Sequence, residues 1–325
     1  MQRAAIGACG RAPPARFFRA ARPVLAADKE ALLELRRRTG LPFVQCREAL
    51  QRCGGDRGKA EAWLQDQAQQ RGWARASILR GRPTPQGLVG LLREGTAAAM
   101  VEVNCETDFV ARTGEFQQLV ELVAVATMGH CRASKQATAC DKHLLQEEEL
   151  MQLRGEPGGA LLREQLALAM GKLGEKLNLR RAGWLRVPEG EGLVATYTHG
   201  WLPTGPAPVV MGTYGALVAL GVTAEGPPPP QATLEEVGRK VAQHVVGMAP
   251  TSLGTPQDPP GGEGETRLLA QGFLLQPEVT LGQWVREQGG AVAVRGFLRF
   301  QCGEETGEGE AQSGEGTRDV TTVAG

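Results

Sequence analysis

A length of 325 residues exceeds one typical domain and predicts two or three compact units, each with a hydrophobic core. Hydrophobic residues make up 42% of the chain and charged residues 22%, close to the globular average, which argues against wholesale disorder. The formal net charge is zero. Pro, Gly or a charge interrupts every apolar run before the roughly 18 to 20 residues of a bilayer span, so no membrane association is expected.

Residues 1–27 differ in composition from the rest of the chain. They contain five arginines and no acidic residue, are rich in Ala, and lack the apolar segment of a secretory signal. This composition is typical of a mitochondrial presequence and predicts a location in the mitochondrial matrix; an unstructured basic tail is the alternative. The remainder is mildly acidic, which gives no electrostatic reason for direct binding to nucleic acid.

Residues 28–72 have the pattern of three short helices. The first ends in the Gly-Leu-Pro segment 40–42, the second ends at the glycines 54–55, and Asp56 is placed to cap the third. A bundle of this size is on the scale of a small adaptor domain rather than of an active-site fold. The Gly- and Pro-containing stretch 73–86 is expected to be a linker.

Residues 87–190 are expected to form the first part of an α+β core. Short apolar runs at 88–92 and 97–103 predict a β-hairpin, and helical spacing resumes at Phe116. Thr107-Asp108-Phe109 therefore falls where a strand ends and a helix begins, and Thr107 or Asp108 can cap that helix. After it come a predicted loop-rich insertion at 130–159, a helix at 161–173 and a strand at 177–187.

Residues 191–304 are expected to form a second, strand-rich part of the core. Strands are predicted at 192–198, 209–222 and 291–300, helices at 234–246 and 280–288, and a Pro-rich turn at 226–230. The Gly- and Glu-rich tail 305–325 has almost no apolar residue, and disorder is predicted there.

The segment Gly54–Ala60 differs from a phosphate-binding loop in two ways. Three residues rather than four separate Gly54 from Gly58, and Ala60 replaces the hydroxyl residue that binds magnesium. The spacing sets the curvature of the amide groups that hold a phosphate, so nucleotide binding by this chain is not expected.

Cysteine and histidine patterns give no convincing reaction centre. The seven cysteines have irregular spacings and no CxxC pair, so reduced thiols are expected. A zinc site built from the His and Cys residues of 130–131 and 140–143 would need a strained turn, and a solvated loop is favoured. Cys105 as a nucleophile would need a base such as His199 or His244 placed beside it, and a strand-end cysteine is more often core. A binding protein without catalytic residues, metal or cofactor is expected.

Three separated stretches resemble the elongation factor Ts family. Residues 102–112, Glu-Val-Asn-Cys-Glu-Thr-Asp-Phe-Val-Ala-Arg, are similar to the family's most diagnostic signature. Residues 35–56 resemble its ubiquitin-associated (UBA) type of amino-terminal domain, with Pro42 stiffening a turn where the family commonly has Gly-Met-Met and apolar bulk kept at Phe43 and Val44. The third match is scattered over 171–175, 179–181, 197–200 and 297–304, and residues 243–250 resemble the mitochondrial branch.

The resemblance implies an α+β fold with an N-terminal three-helix UBA-like domain and a two-subdomain core of small antiparallel sheets and packed helices. It implies a guanine-nucleotide exchange factor, not an enzyme, that forms a one-to-one complex with elongation factor Tu. In this family the Asp-Phe pair, here Asp108 and Phe109, enters the GTPase near its magnesium site. The implied partner-binding residues are Thr107, Asp108, Phe109, Val110, Leu173, Gly174, Val44, His199 and His244.

The residues alone leave other interpretations open. Phe109 fits a staple packed beneath the following helix, with Asp108 only capping that helix. Leu173-Gly174 equally fits a core leucine and a helix-ending glycine, and the two implied histidines fit core or capping positions. The alternative function is a UBA-type adaptor that binds ubiquitin-like partners without exchange activity, and a thiol enzyme acting through Cys105 is a third class.

Overall fold

The computed structural model describes residues 26–79, 81–135, 140–156, 158–200, 208–223, 229–288 and 291–305. The chain divides into two compact units, Met1–Leu64 and Gln65–Gly325. The predicted presequence up to residue 25, the tail from residue 306 and most of the turn at 226–230 lie outside the described residues. In the described part, no helix is long and apolar enough to cross a membrane.

The first unit is built from three helices: α1 (Ala26–Thr39), α2 (Phe43–Arg52) and the beginning of α3 (Arg57–Leu79). Gly40 ends α1 with a φ of 69°, a left-handed conformation that glycine adopts without strain. Asp56 accepts a hydrogen bond from the Lys59 backbone N–H (3.0 Å) at the start of α3. The hydrophobic core of this unit is built from buried side chains of all three helices and of the turn between α1 and α2: Leu35, Leu41, Cys46, Ala49, Ala60 and Leu64.

The predicted linker at 73–86 is partly helical, because α3 continues to Leu79. Its second half packs closely on α7 (Leu162–Leu173). A Cβ atom at Gly72 would lie 1.7 Å from the Ala167 carbonyl oxygen, and one at Gly171 would lie 2.0 Å from the Ala68 carbonyl oxygen. These two glycines therefore allow the backbones to touch, and the packing sustains the helix past the point where composition suggested a break.

The larger unit contains a five-stranded antiparallel sheet in the order β3-β4-β2-β1-β6. Its strands are β1 (Gln86–Glu94), β2 (Ala97–Cys105), β3 (Asp141–Gln146), β4 (Leu177–Arg186) and β6 (Val209–Gly212). The predicted hairpin of the first two strands is observed, with Gly95 in its turn. One face is covered by α5 (Gly114–Ala133), α6 (Glu147–Gln152) and α7.

The second sheet has three antiparallel strands in the order β10-β7-β5. They are β5 (Gly192–His199), β7 (Tyr214–Val222) and β10 (Val292–Gln301), packed against α8 (Gln231–Met248) and α9 (Leu281–Glu287). A small hairpin, β8 (Gly272–Phe273) with β9 (Gln276–Thr280), precedes α9. Together with the first unit, this arrangement confirms the predicted α+β class.

The two sheets share a core, because side chains of a strand alternate between its two faces. Leu88 of β1 points into the cluster under α5, whereas its neighbour Val89 joins a cluster with Leu217 of β7 and Leu298 of β10. The middle of the first sheet is thus buried on both faces, which explains the apolar runs 88–92 of β1 and 97–101 of β2.

Two further sequence predictions about secondary structure are wrong. The predicted strand 209–222 is two strands, since residues up to Gly212 pair with β1 in one sheet and residues from Tyr214 pair in the other. The stretch 130–159 is not loop-rich, because it holds the end of α5, all of β3 and all of α6. Leu145 of β3 and Leu150 of α6 are fully buried and fix these two elements to the core.

Candidate binding corner

The segment singled out by the sequence forms a tight corner between β2 and a four-residue helix, α4 (Asp108–Ala111). Thr107 is the N-cap: its hydroxyl accepts a hydrogen bond from the Val110 backbone N–H (3.4 Å), and its carbonyl accepts one from Ala111 (3.3 Å). Val110 and Ala111 are buried in the core beneath the corner, so the expectation that Val110 itself contacts the partner is wrong, and its side chain anchors the corner instead. On a helix this short, turning those two residues inward leaves Asp108 and Phe109 facing outward.

Phe109 is 80% exposed, so the interpretation of this residue as a hydrophobic staple is wrong. The aromatic ring that fills the core at the start of α5 is Phe116, which is fully buried. Leaving a phenylalanine in water forgoes roughly 1.5 to 3 kcal/mol of burial free energy. An exposed side chain of this size on a well-anchored corner is the kind of feature that a partner surface covers.

Asp108 does not act as the helix cap, since Thr107 has that position. Its carboxylate instead lies 3.3 Å from the Arg112 guanidinium, four residues along the chain, and both side chains are exposed. An exposed pair of this kind contributes little to stability, so its partners are easily exchanged on docking.

Two carboxylates tie the corner to the end of α7. Glu175 accepts hydrogen bonds from both the backbone N–H (3.1 Å) and the hydroxyl (2.7 Å) of Thr107. In the opposite direction, Glu106 accepts one from the Lys176 backbone N–H (2.8 Å) and another from the Arg82 guanidinium (3.1 Å). The Lys176 N–H and then the Arg82 guanidinium hold the pKa of Glu106 below its usual value.

Leu173 and Gly174, also singled out from the sequence, lie at the end of α7. Gly174 ends the helix in the left-handed conformation, with φ at 82°, and its N–H donates to the Met170 carbonyl (3.0 Å). Leu173 is half-buried against the core, whereas Gly174 is exposed. Because Glu175 follows directly and binds Thr107, the structure brings this helix end and the Asp108-Phe109 corner together.

The other three predicted contact residues lie elsewhere. Val44 is 75% exposed at the start of α2, in the first unit. His199 is exposed at the end of β5, with its ring edge-on to Tyr214 at 6.0 Å between ring centres.

His244 is fully buried in α8, so the expectation that it lies on a partner-facing surface is wrong. Its Nδ1 accepts from the Leu274 backbone N–H (3.1 Å). The proton is therefore on Nε2, which donates to the Gln271 side-chain oxygen (3.0 Å). Burial lowers the pKa of His244 to about 4, which keeps the ring neutral. Its role is to join α8 to the β8–β9 hairpin.

The residues considered for chemistry have structural partners. The buried Cys105 thiol donates to the Thr107 carbonyl (3.1 Å), and burial raises its pKa to about 12, so it carries no nucleophilic thiolate near neutral pH. His130 accepts from the Trp184 indole N–H (3.2 Å) and stacks on His143. Within the described residues, no group of three or more His, Cys, Asp or Glu side chains is placed to hold a metal ion.

Sequence reasoning missed the clamping roles of Glu106 and Glu175. Glu175 lies 68 residues from Thr107, the residue it binds. No spacing rule connects positions that far apart. The only available signal is that each glutamate stands next to a segment already singled out.

The corner as a whole combines an exposed aromatic residue on a capped helix with two anchors in the core and a tie to a second exposed turn. Residues 15–74 match the family described as elongation factor Ts, mitochondrial, N-terminal, and residues 106–258 match the family described as elongation factor TS.

Among similar proteins, elongation factor Ts, mitochondrial, of Rattus norvegicus is 50% identical over 291 residues, covering 88% of this chain and 87% of that protein. The protein of the same name from Homo sapiens is 49% identical over 282 residues, covering 86% and 84%. That from Aedes aegypti is 38% identical over 285 residues, covering 86% and 89%. The chain therefore belongs to the elongation factor Ts family, and the resemblance read from the sequence is confirmed.

Proposed function

We propose that this protein is the guanine-nucleotide exchange factor of mitochondrial translation elongation. It binds elongation factor Tu carrying GDP in a one-to-one complex in the mitochondrial matrix, promotes release of GDP, and so allows Tu to reload with GTP. The observation that carries the proposal is the exposed Phe109 on a capped corner, in the segment most diagnostic of the family.

Exchange of this kind needs no covalent step. A factor that binds the empty GTPase more tightly than the GDP-loaded one must weaken GDP binding by the same factor, because coupling between two binding sites is reciprocal. The magnesium ion and nucleotide belong to the partner. This chain supplies a surface and needs no metal or cofactor of its own.

The corner suits that task in both shape and charge. Phe109 offers an apolar wedge, and Asp108 beside it carries an exposed carboxylate held only by a surface ion pair. Pushed in near the magnesium site, the pair disturbs the ion that neutralises the phosphate charges of the bound nucleotide. Leu173 and Gly174 extend the same surface, because Glu175 ties their turn to Thr107.

The remaining assignments are proposed on the same basis. Residues 1–27 are a transit peptide, residues 28–72 a UBA-like domain that presents Val44 to Tu, and His199 a contact of the second half of the core. The core comprises subdomains 87–190 and 191–304. Thr107 and Val110 act within the corner as cap and anchor.

The test is release of fluorescent GDP from mitochondrial elongation factor Tu, with and without this protein. Small amounts of the protein relative to Tu are expected to accelerate release, since each molecule turns over. If an equimolar amount left the release rate unchanged, the proposal would be wrong.

The alternative of an adaptor is supported by the exposed apolar residues Phe43 and Val44 at the start of α2. It predicts capture of a ubiquitin-like protein by the full chain, loss of capture in Val44→Asp, and no acceleration of GDP release. The two functions therefore give opposite results in the same release assay.

A further inference from the structure

We propose that Glu175 is a positioning residue for nucleotide exchange, which sets the conformation of the Asp108-Phe109 corner without itself contacting the nucleotide site. This inference rests on the proposed exchange function and assigns a role within it to a residue outside the corner. The observation behind it is the double hydrogen bond from Thr107 to the Glu175 carboxylate.

The hydroxyl of Thr107 has two tasks that must be compatible. It caps α4 by accepting from the Val110 N–H (3.4 Å), and it donates its own proton to Glu175 (2.7 Å). A hydroxyl has one proton and two acceptor lone pairs, and the proton can rotate. The carboxylate fixes the proton on one side, which leaves a lone pair directed at Val110. Glu175 thus orients the cap as well as holding its backbone.

The same carboxylate accepts from the Thr107 backbone N–H (3.1 Å). An N-cap residue has no helical partner for its own N–H, and here a carboxylate from another segment takes the place that a capping-box glutamate usually occupies. α4 has only four residues and cannot hold itself by its own hydrogen bonds. Its geometry depends on the cap and on the two buried residues beneath it.

The arrangement is reciprocal. Glu106, next to Thr107, accepts from the Lys176 N–H, while Glu175, next to Lys176, accepts from the Thr107 N–H. Each segment therefore holds the other by its backbone. The Arg82 guanidinium adds a third segment through Glu106 (3.1 Å). Cross-linking of this kind makes the corner and the exposed Gly174 turn one rigid element.

Rigidity affects function through the cost of docking. A side chain or loop that must be ordered on binding consumes part of the contact free energy, whereas a preorganised one does not. Glu175→Ala removes two charge-assisted hydrogen bonds at the cap, so we expect GDP release at subsaturating protein to slow on the order of tenfold. Glu175→Gln keeps the size of the side chain and one acceptor oxygen, so its rate of GDP release is expected to lie between those of wild type and Glu175→Ala. Glu189→Ala, an exposed glutamate in the turn after β4, is the matched control and is expected to match wild type.

A double-mutant cycle with Phe109→Ala separates positioning from direct contact. If Glu175 acts through the corner, Glu175→Ala has little further effect once Phe109 is gone. Full multiplication of the two effects would overturn the proposal, because it would mean that Glu175 acts at a separate place.

Amide hydrogen exchange in the free full-length protein gives a readout that does not depend on Tu. Glu175→Ala is expected to raise exchange of the Thr107 and Val110 amides by on the order of tenfold, with the melting temperature of the whole protein little changed. Unchanged protection at both amides would refute the positioning role, even if GDP release slowed. If wild-type protein failed to accelerate GDP release, the exchange function and its positioning residue would fall together, and the amide data would show whether Glu175 holds the corner at all.

Discussion

Replacing Phe109 with alanine is expected to perturb the proposed contact with Tu and almost nothing else. Four fifths of the residue is exposed in the free protein, so the free energy of unfolding is expected to change by less than about 0.5 kcal/mol. Full burial of a phenylalanine side chain is worth roughly 1.5 to 3 kcal/mol. The exposed portion therefore holds about 1.2 to 2.4 kcal/mol for a partner pocket, which corresponds to about an 8- to 60-fold effect.

The assay is stopped-flow release of fluorescent GDP from Tu over a range of exchange-factor concentrations. For Phe109→Ala, the initial slope of release rate against exchange-factor concentration is expected to fall by about 8- to 60-fold. Phe109→Leu retains most of the apolar area, so its slope is expected to fall less. Ile78→Ala removes an exposed apolar side chain on α3 and serves as the control. A slope for Phe109→Ala within twofold of wild type, or an equal loss in Ile78→Ala, would refute the proposed role of Phe109.

Three further predictions concern stability. Glu102→Ala is expected to cost about 3 to 5 kcal/mol in urea unfolding, because it removes a fully buried carboxylate that binds the Arg181 guanidinium (2.7 Å) and accepts a hydrogen bond from the Gly303 backbone N–H (2.8 Å). Glu94→Ala, in an exposed ion pair with Arg132, is expected to cost at most about 1 kcal/mol, and equal losses would contradict this. Burial lowers the pKa of His244 from 6.5, its ordinary value in the unfolded chain, to about 4 in the folded protein. The neutral ring therefore contributes about 3 kcal/mol to the free energy of unfolding above pH 6.5, and this contribution is lost as the pH falls toward 4. A His244→Gln variant that kept this pH dependence of unfolding would exclude His244 as its source. Gly171→Ala is expected to destabilise the protein by several kcal/mol, because the new Cβ would meet a carbonyl oxygen of α3. Gly129→Ala lies in open space on α5 and is expected to stabilise the protein by about 0.5 to 1 kcal/mol. Thermal unfolding of the two variants tests both expectations.

Much of the fold could be predicted from the spacing of apolar residues, because burial of one face of a helix or strand imposes that spacing on the sequence. Strand β2 is buried along almost its whole length and begins with the apolar run 97–101, and α8 repeats its buried residues at helical spacing. The strand break at Thr213 did not follow, since Val209–Gly212 and Tyr214–Val222 are both apolar and only tertiary pairing assigns them to different sheets. The elements within 130–159 were missed because few buried residues hold them.

The candidate site was likewise only partly predictable from the sequence. A change of period located Thr107-Asp108-Phe109 at the end of a strand, but periodicity did not show which aromatic residue enters the core. Phe109 and Phe116 stand seven residues apart, and the capped geometry of α4 and α5 decides that only the second is buried. His244 illustrates the opposite error: the family resemblance implied a partner contact, yet the ring is buried, and two hydrogen bonds satisfy its nitrogens in the neutral form.

An exposed phenylalanine that must stay exposed sets its own structural requirements. The helix that carries it cannot be long, because a longer helix would offer more surface on which the ring could pack, and a short helix needs support from outside. Val110 and Ala111 supply that support from the core, and Glu175 supplies it from α7. We therefore expect substitution of Phe109 to leave the stability of the protein unchanged, whereas substitution of a supporting residue is expected to displace the Phe109 ring.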